Sequence, residues 1–508
     1  MPERDDQLAT SAGVAVLRRG GSAADAAVTA SAVLAVTTQH MCGMGGDLFA
    51  LVHDGDPIPA ALAAVGRAGS SADAAAMRAE GLDTMPMRGD VRSATVPGCV
   101  DGWLTLHERF GRLPLAELLA PAIGYATDGF PASQLLAGAA TRIDGVAGAG
   151  DYLPPGGLHP GDRVRRPLVA AVLAAIVADG RAGFYGGTFG AGLLTLGAGL
   201  FVAADLERPL AQWVSPLRAT AWGHRVWTVP PPSQGYLTPA GAWIADGLDL
   251  PDDPGDPSWA HLLSEAARWA GHDRDAVLFD GADGAALHAQ DTLGVRRAAI
   301  DPRYRTAPAT PAVGGGTIAL CAVDADGMGV CLIQSNAAGW GCHLVVPGTG
   351  VFLQNRGIGF SLSPGHPAAL APGRRPVHTL APALVTGAGG LTAVLGTQGG
   401  DIQPQVLLQL LARTLRNGET PGQAMPAPRW TLGDGGFSTW SGDGPQITTL
   451  EFTAPTAWET GLTERGHRVV RAPPGFNVGH AQLIMVRADG MLAGTTDPRA
   501  QGGAAAGW

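Results

Sequence analysis

A mixed α/β fold is what the sequence predicts, and three observations predict it. Stretches with apolar residues at helical spacing alternate along the whole chain with unbroken runs of strand formers. Two of those strand runs issue from glycine-rich turns, Cys42-Gly43-Met44-Gly45-Gly46-Asp47 and Gly314-Gly315-Gly316. Hydrophobic residues make up 46% of the 508 residues against 15% charged, which supplies a sizeable core and excludes disorder.

Taken in order, residues 7–36 read as a helix, a stop at Arg18-Arg19-Gly20-Gly21, and a second helix capped by Ser22. The turn at 42–47 feeds a strand, Leu48-Phe49-Ala50-Leu51-Val52. It lacks the lysine and the following helix of a phosphate loop, so its reading is structural. Residues 104–110, 115–126 and 168–178 are expected as amphipathic helices with solvated charges. Thr228-Val229-Pro230-Pro231-Pro232-Ser233-Gln234-Gly235 is a polyproline bend in which Ser233 serves the turn. Residues 259–269 form a helix with His261 and Glu265 four apart; no third ligand completes a metal set, so surface pairing is expected. Between 280 and 313 periodicity is lost and Pro302, Pro308 and Pro311 enter, which predicts an irregular tail.

Composition also limits the partners. A net charge of -10 disfavours nucleic acid. Five cysteines (42, 99, 321, 331 and 342) form no C-x-x-C pair and read as reduced, packed thiols, with no zinc or other metal and no cofactor. The polar start Met1-Pro2-Glu3-Arg4-Asp5-Asp6 precedes no apolar segment, and no later run is read as long enough to span a membrane. The expectation is a cytoplasmic protein, away from membranes, acting on a small molecule.

Chemistry concentrates at one hairpin. Gly316-Thr317 opens the apolar run Ile318-Ala319-Leu320-Cys321-Ala322-Val323, which turns at Asp324-Ala325-Asp326-Gly327 and returns through Val330 to Ser335. If Val323 faces Gly329, Thr317 faces Ser335 and two hydroxyls stand side by side. A hydroxyl needs a base to become a nucleophile, and a threonine's own α-amine can be that base once the Gly316-Thr317 bond is cut. The preceding glycines permit the backbone strain that such a cut requires. By itself, GGGT also suits a glycine linker leading into an ordinary buried strand.

The surrounding blocks extend the argument. They are Leu17-Arg18-Arg19-Gly20-Gly21-Ser22-Ala23-Ala24-Asp25-Ala26-Ala27, Gly43-Met44-Gly45-Gly46-Asp47, Val96-Pro97-Gly98, Pro121-Ala122-Ile123 and Asp128-Gly129-Phe130. After the Thr317 hairpin come Val346-Pro347-Gly348-Thr349-Gly350, Gly396-Thr397-Gln398-Gly399-Gly400-Asp401 and Asp497-Pro498-Arg499. In this order and spacing they resemble the γ-glutamyltransferase family of N-terminal nucleophile (Ntn) hydrolases, closest to its cephalosporin-acylase-like members. The resemblance implies an α+β fold, a four-layer αββα sandwich. It also implies one domain made of two fragments of a precursor, 1–316 and 317–508, paired as a heterodimer and open to further oligomerisation. It further implies a strand ahead of Leu8-Ala9-Thr10, which this chain shortens or lacks.

Residue by residue, the resemblance makes Gly316-Thr317 the cleavage site, Thr317 the nucleophile, Ser335 its assisting hydroxyl and Gly399-Gly400 the oxyanion hole, where one lost donor costs about 3 kcal/mol. Arg356, Asn355, His378 and Thr379 fall on substrate-binding positions. Arg356 replaces a group that binds an ammonium, and His378-Thr379 replace a serine pair; the family's carboxylate-gripping arginine aligns with Ala74, and Arg67 lies upstream. Ala337 leaves room for bulk. The expectation is therefore an acylase-like threonine hydrolase for an anionic acyl group anchored by Arg356. The alternatives are a carbon-carbon hydrolase removing an oxalyl-type group in secondary metabolism, a true γ-glutamyl hydrolase or transpeptidase, and an unprocessed scaffold or binding protein.

Overall fold

Two antiparallel sheets stacked face to face carry the longest apolar runs. The computed structural model describes residues 5–306, 316–433, 446–500 and 502–507. The strands are β1 (Asp47–His53), β2 (Ala60–Ala64), β3 (Ala211–Val214), β4 (Leu217–Ala221), β5 (His224–Thr228), β6 (Gly316–Val323), β7 (Gly329–Ala337), β8 (Ala383–Gly387), β9 (Gly390–Gln398), β10 (His480–Val486) and β11 (Leu492–Thr496). One sheet runs β3-β2-β1-β7-β6 and the other β11-β10-β9-β8-β5-β4. In β1, alternate residues point to opposite faces: Phe49 and Leu51 enter the inter-sheet core with Ile333, Trp227, Leu384 and Val394, while Leu48, Ala50 and Val52 face the helices. Burial on both sides is why the strand is apolar throughout.

Helices α1 (Asp5–Arg18), α2 (Ala23–Thr37), α3 (Cys99–Phe110), α4 (Leu115–Asp128) and α5 (Pro167–Tyr185) cover the first sheet. Helices α6 (Leu237–Asp246), α7 (Pro257–Gly271) and α8 (Gln403–Leu411) cover the second. The order is αββα, as expected. The Ser22 cap is present in full: Asp25 N donates to Ser22 Oγ at 3.0 Å, and Ser22 N donates to Asp25 Oδ2 at 2.9 Å. Ser233 does serve its turn, accepting from Gly235 N at 2.8 Å. All five cysteines are buried or half-buried thiols.

Three expectations need correcting. The stretch after 280 contains helices Gly284–Leu287 and Gln290–Ala298; the second is polar apart from a few contacts such as buried Leu293, so it lacks an apolar stripe to read. Residues Pro167–Gly197 are long and apolar enough to cross a membrane by length and composition. Here they are bent at Gly180 (φ 55°), and Leu173, Ile176, Phe184 and Leu193 lie in the core. Finally, His261 and Glu265 are fully buried rather than a surface pair, and His467 completes a trio with them. Of the N-terminal and triple-glycine readings, residues 1–4 and Gly314-Gly315 lie outside the described residues.

Candidate active site

The hairpin β6–β7 keeps the expected register, with Val323 opposite Gly329 and Cys321 opposite Cys331, as far as Ile318 opposite Gln334. Gly316 then pairs with Ala337, so Thr317 faces two residues, Ser335 and Asn336. This is a β-bulge, and Ala337 takes it up at φ 72°. Thr317 Oγ1 lies 3.5 Å from Ser335 Oγ, which also accepts from Ala337 N at 2.8 Å. Both side chains are fully buried. The bulge thus keeps the two hydroxyls facing each other at the end of the ribbon.

A hydrogen-bonded chain leads from that pair to the two glycines. Arg356, on the short turn Arg356–Gly359, donates through Nη2 to Ser335 Oγ at 3.2 Å and through Nη1 to Thr379 Oγ1 at 3.3 Å. Gln234 Nε2 donates to Thr379 O at 3.0 Å and to Gly400 O at 2.9 Å. Arg274 Nε donates to Gln234 Oε1 at 3.1 Å, and its Nη2 lies 3.4 Å from Asp401 Oδ1. Gly399 and Gly400 have φ of 137° and 64°, and a Cβ on Gly399 would come within 2.7 Å of Ile402. Only glycine makes that corner without strain.

The charges are buried together. Burial lowers Arg356 to about 10, opposed by Asp47 and Asp401, so it remains a cation at neutral pH. Burial raises Asp401 to about 7, opposed by Arg274 and Arg356. His378 Nε2 lies 3.1 Å from Asp47 Oδ2, yet burial and Arg356 lower it to about 4, so its imidazole is neutral. Asp47 Oδ1 accepts from Gly66 N and Gly98 N, both at 2.9 Å. A cleft of 910 Å³ opens onto Thr317, with His40, Arg142, Phe452, Asn477 and His480 in its walls.

Of the residues singled out in the sequence, Thr317, Ser335, Arg356 and Thr379 are directly linked; His378 adjoins them and Gly400 joins through Gln234. Asn355 does not join: it braces loops, accepting from Ala338 N at 2.9 Å and donating to Met87 O at 2.8 Å. Sequence reasoning missed Gln234, Arg274, Asp401 and the partner role of Asp47. Asp47 and Asp401 did carry a signal, the first as an acid closing a glycine turn ahead of an apolar run and the second as the acid that ends the Gly396-Thr397-Gln398-Gly399-Gly400-Asp401 block, though neither was given a partner. The His261–Glu265–His467 trio is elsewhere, and it is poorly suited to a cation. Arg268 Nη1 is 2.9 Å from Glu265, and burial with Arg268, His261, Arg305 and Arg465 lowers His467 to about 2. Chemically, a buried hydroxyl pair beside a guanidinium and a glycine corner suits acyl transfer.

Layer order and strand order put this chain among the hydrolases of the N-terminal nucleophile fold. It belongs to the gamma-glutamyltranspeptidase family, whose model matches residues 9–507. The oxamate amidohydrolase proenzyme of Klebsiella pneumoniae is 37% identical over 98% of this chain and 96% of its own length. The acylase ACY 1 proenzyme of Pseudomonas sp. (strain SE83) is 32% identical over 97% and 91%. The crystal structure of cephalosporin acylase from Bacillus halodurans superposes with a TM-score of 0.89 at 31% identity, covering 98% of this chain and 93% of that one.

Proposed function

We propose that the chain is a self-processing N-terminal threonine hydrolase that cleaves the amide of an anionic acyl group. The observation that carries this reading is Arg356: a buried guanidinium 3.2 Å from Ser335 Oγ, one hydroxyl away from Thr317. A carboxylate next to the attacked carbonyl would be gripped there by charge-assisted hydrogen bonds, whereas an ammonium would be repelled. The name of the Klebsiella relative supports the same chemistry, since oxamate is an amide whose carbonyl carries a carboxylate directly.

In the precursor, Thr317 Oγ attacks the Gly316 carbonyl, the peptide becomes an ester, and water releases fragment 1–316 with the Thr317 amine free. An α-amine titrates near pH 8, so a useful fraction is unprotonated at neutrality. The amine takes the Oγ proton, Oγ attacks the substrate carbonyl, and the amide N-H groups at Gly399-Gly400 receive the oxyanion. The protonated amine hands its proton to the departing nitrogen, and water then frees the acyl group. Arg356 positions the carboxylate throughout.

Intact-mass and N-terminal sequencing test the first half: wild type yields a chain starting Thr-Ile-Ala-Leu, and T317A stays whole and inactive. Steady-state turnover of oxamate against a γ-glutamyl anilide tests the second. An active enzyme without the new terminus, or a clear γ-glutamyl preference, removes the reading.

A further inference from the structure

The hairpin that carries Thr317 also carries two cysteines directly opposite each other, Cys321 on β6 and Cys331 on β7. The turn sets the phase of their ladder. Asp324 N donates to Met328 O at 3.0 Å and Gly327 N to Asp324 O at 3.1 Å, so Asp324 and Met328 form a hydrogen-bonded pair. Pair types alternate from there: Val323–Gly329 is non-hydrogen-bonded, Ala322–Val330 hydrogen-bonded, and Cys321–Cys331 non-hydrogen-bonded again. Opposed residues of that kind have Cα atoms about 4.5 Å apart and side chains at their closest. A disulfide spans Cα separations of about 4.4–6.8 Å, so the backbone already stands where one closes.

The surroundings suit the same bond. Both thiols belong to the core between the sheets, and they are in hydrogen-bond contact with each other. Cys331 Sγ donates to Leu395 O at 3.2 Å and Cys321 Sγ to Gln482 O at 3.7 Å. Gly396 leaves them room, since a Cβ there would come within 3.1 Å of Cys331 Sγ. An oxidant also has a way in. β6 is the outermost strand of its sheet, and a groove of 600 Å³ bounded by α1, α2, β10 and β11 has Cys321 in its wall. Cys321 is half-buried there, whereas Cys331 behind it is fully buried. The other three thiols are arranged differently. Cys42 and Cys99 share the carboxamide of Gln334, which donates to Cys42 Sγ at 3.2 Å and accepts from Cys99 Sγ at 3.5 Å; Cys342 Sγ donates to Leu353 O at 3.4 Å.

We infer that Cys321 and Cys331 are an oxidation site, which a peroxide converts to a cross-strand disulfide stapling the hairpin that bears Thr317 and Ser335. Cys321 sulfur, having given up its proton, attacks one peroxide oxygen. The O–O bond breaks, Cys321 becomes a sulfenic acid, and the released hydroxide takes up that proton as water. Cys331 sulfur then attacks Cys321 sulfur, the S–S bond forms, and the sulfenic hydroxyl leaves with the Cys331 proton as a second water. Two thiols lose two hydrogens, and one hydrogen peroxide becomes two waters. Burial, with Cys331 alongside, raises the Cys321 thiol above its usual range, so the attacking thiolate is scarce at neutral pH. The staple therefore answers sustained oxidant rather than a brief pulse. Its Cys321 side faces the groove, which leaves the bond open to reduction by a dithiol.

The experiment treats folded wild type, C321S and C331S with hydrogen peroxide, removes the peroxide with catalase, and blocks free thiols with N-ethylmaleimide in denaturant. Peptide mass spectrometry then reads each cysteine, before and after dithiothreitol. In wild type, Cys321 and Cys331 are expected to escape the maleimide together, joined with the loss of two hydrogens, and to accept it after dithiothreitol, while Cys99 and Cys342 stay free. Neither serine variant is expected to show a dithiothreitol-sensitive change at the cysteine it retains. Sulfoxide at Met491, 63% exposed, reports that the dose reached the protein. Free thiols at both positions under that dose overturn the site, and so does either cysteine oxidised without the other or joined to a different one. The wild-type map decides even if a serine variant folds poorly, because the link is read directly. It is equally readable in processed and intact chains, since both cysteines follow Thr317 in the sequence.

Discussion

Arg356, Asp401 and His378 show at the residue scale how one buried site can titrate in opposing directions. Asp401 moves up from 3.8 to about 7, so between those values the folded chain holds a proton that the unfolded chain has lost. Its contribution to stability therefore falls as pH rises from about 4 to about 7. His378 moves down from 6.5 to about 4, so the unfolded chain holds the extra proton and stability rises over that window. Removing the first effect exposes the second. Thermal melts between pH 4 and 8 are expected to climb more steeply with pH in D401N than in wild type across the acid half; parallel curves would contradict the assignment. Neither shift was legible in the sequence, where Asp401 follows two glycines and His378 a proline-valine pair. Both depend on neighbours brought in from distant segments.

Helix α7 carries the lesson at the scale of elements. Its i, i+4 pair His261–Glu265 was legible, and so was the helix; its burial was not, because the charged face meets other polar groups instead of water. Glu265 Oε2 accepts from Thr306 N at 2.9 Å and from Thr306 Oγ1 at 2.5 Å, while Oε1 pairs with Arg268, which is 1% exposed. A solvent-exposed pair would be worth at most about 1 kcal/mol. Deleting one member of a buried pair costs about 3–5 kcal/mol. Chemical denaturation of E265A is expected to show a loss in the larger range, with E265Q losing less because its amide oxygen still accepts from Thr306. A loss under about 1 kcal/mol would return the pair to the surface class. The hairpin β6–β7 was the most legible element, since the tight turn at Asp324-Ala325-Asp326-Gly327 fixes its register. The bulge was not, because nothing in the residues at 335–337 announces the positive φ at Ala337.

On the scale of the whole molecule, each sheet mixes strands from both sides of Gly316. In one sheet β1 pairs with β7 over seven residue pairs from Asp47–Ser335 to His53–Gly329, and in the other β5 pairs with β8. Fragments produced by a cut at 316/317 could part only by opening both ladders and the core between them. Processed protein is thus expected to elute as one species in native gel filtration and to separate only in denaturant; resolution into two native peaks would refute this. The sandwich was legible as a mixed fold from pattern and as four layers from resemblance. Which strands neighbour one another could not be read, because pairing across hundreds of residues leaves no local mark.

The place of β6 in its sheet has a last consequence. It is the outermost strand of the order β3-β2-β1-β7-β6, and Thr317 stands almost at its head. Among the described residues no strand pairs with its far edge, so the ladder with β7 alone decides which way the Thr317 side chain points.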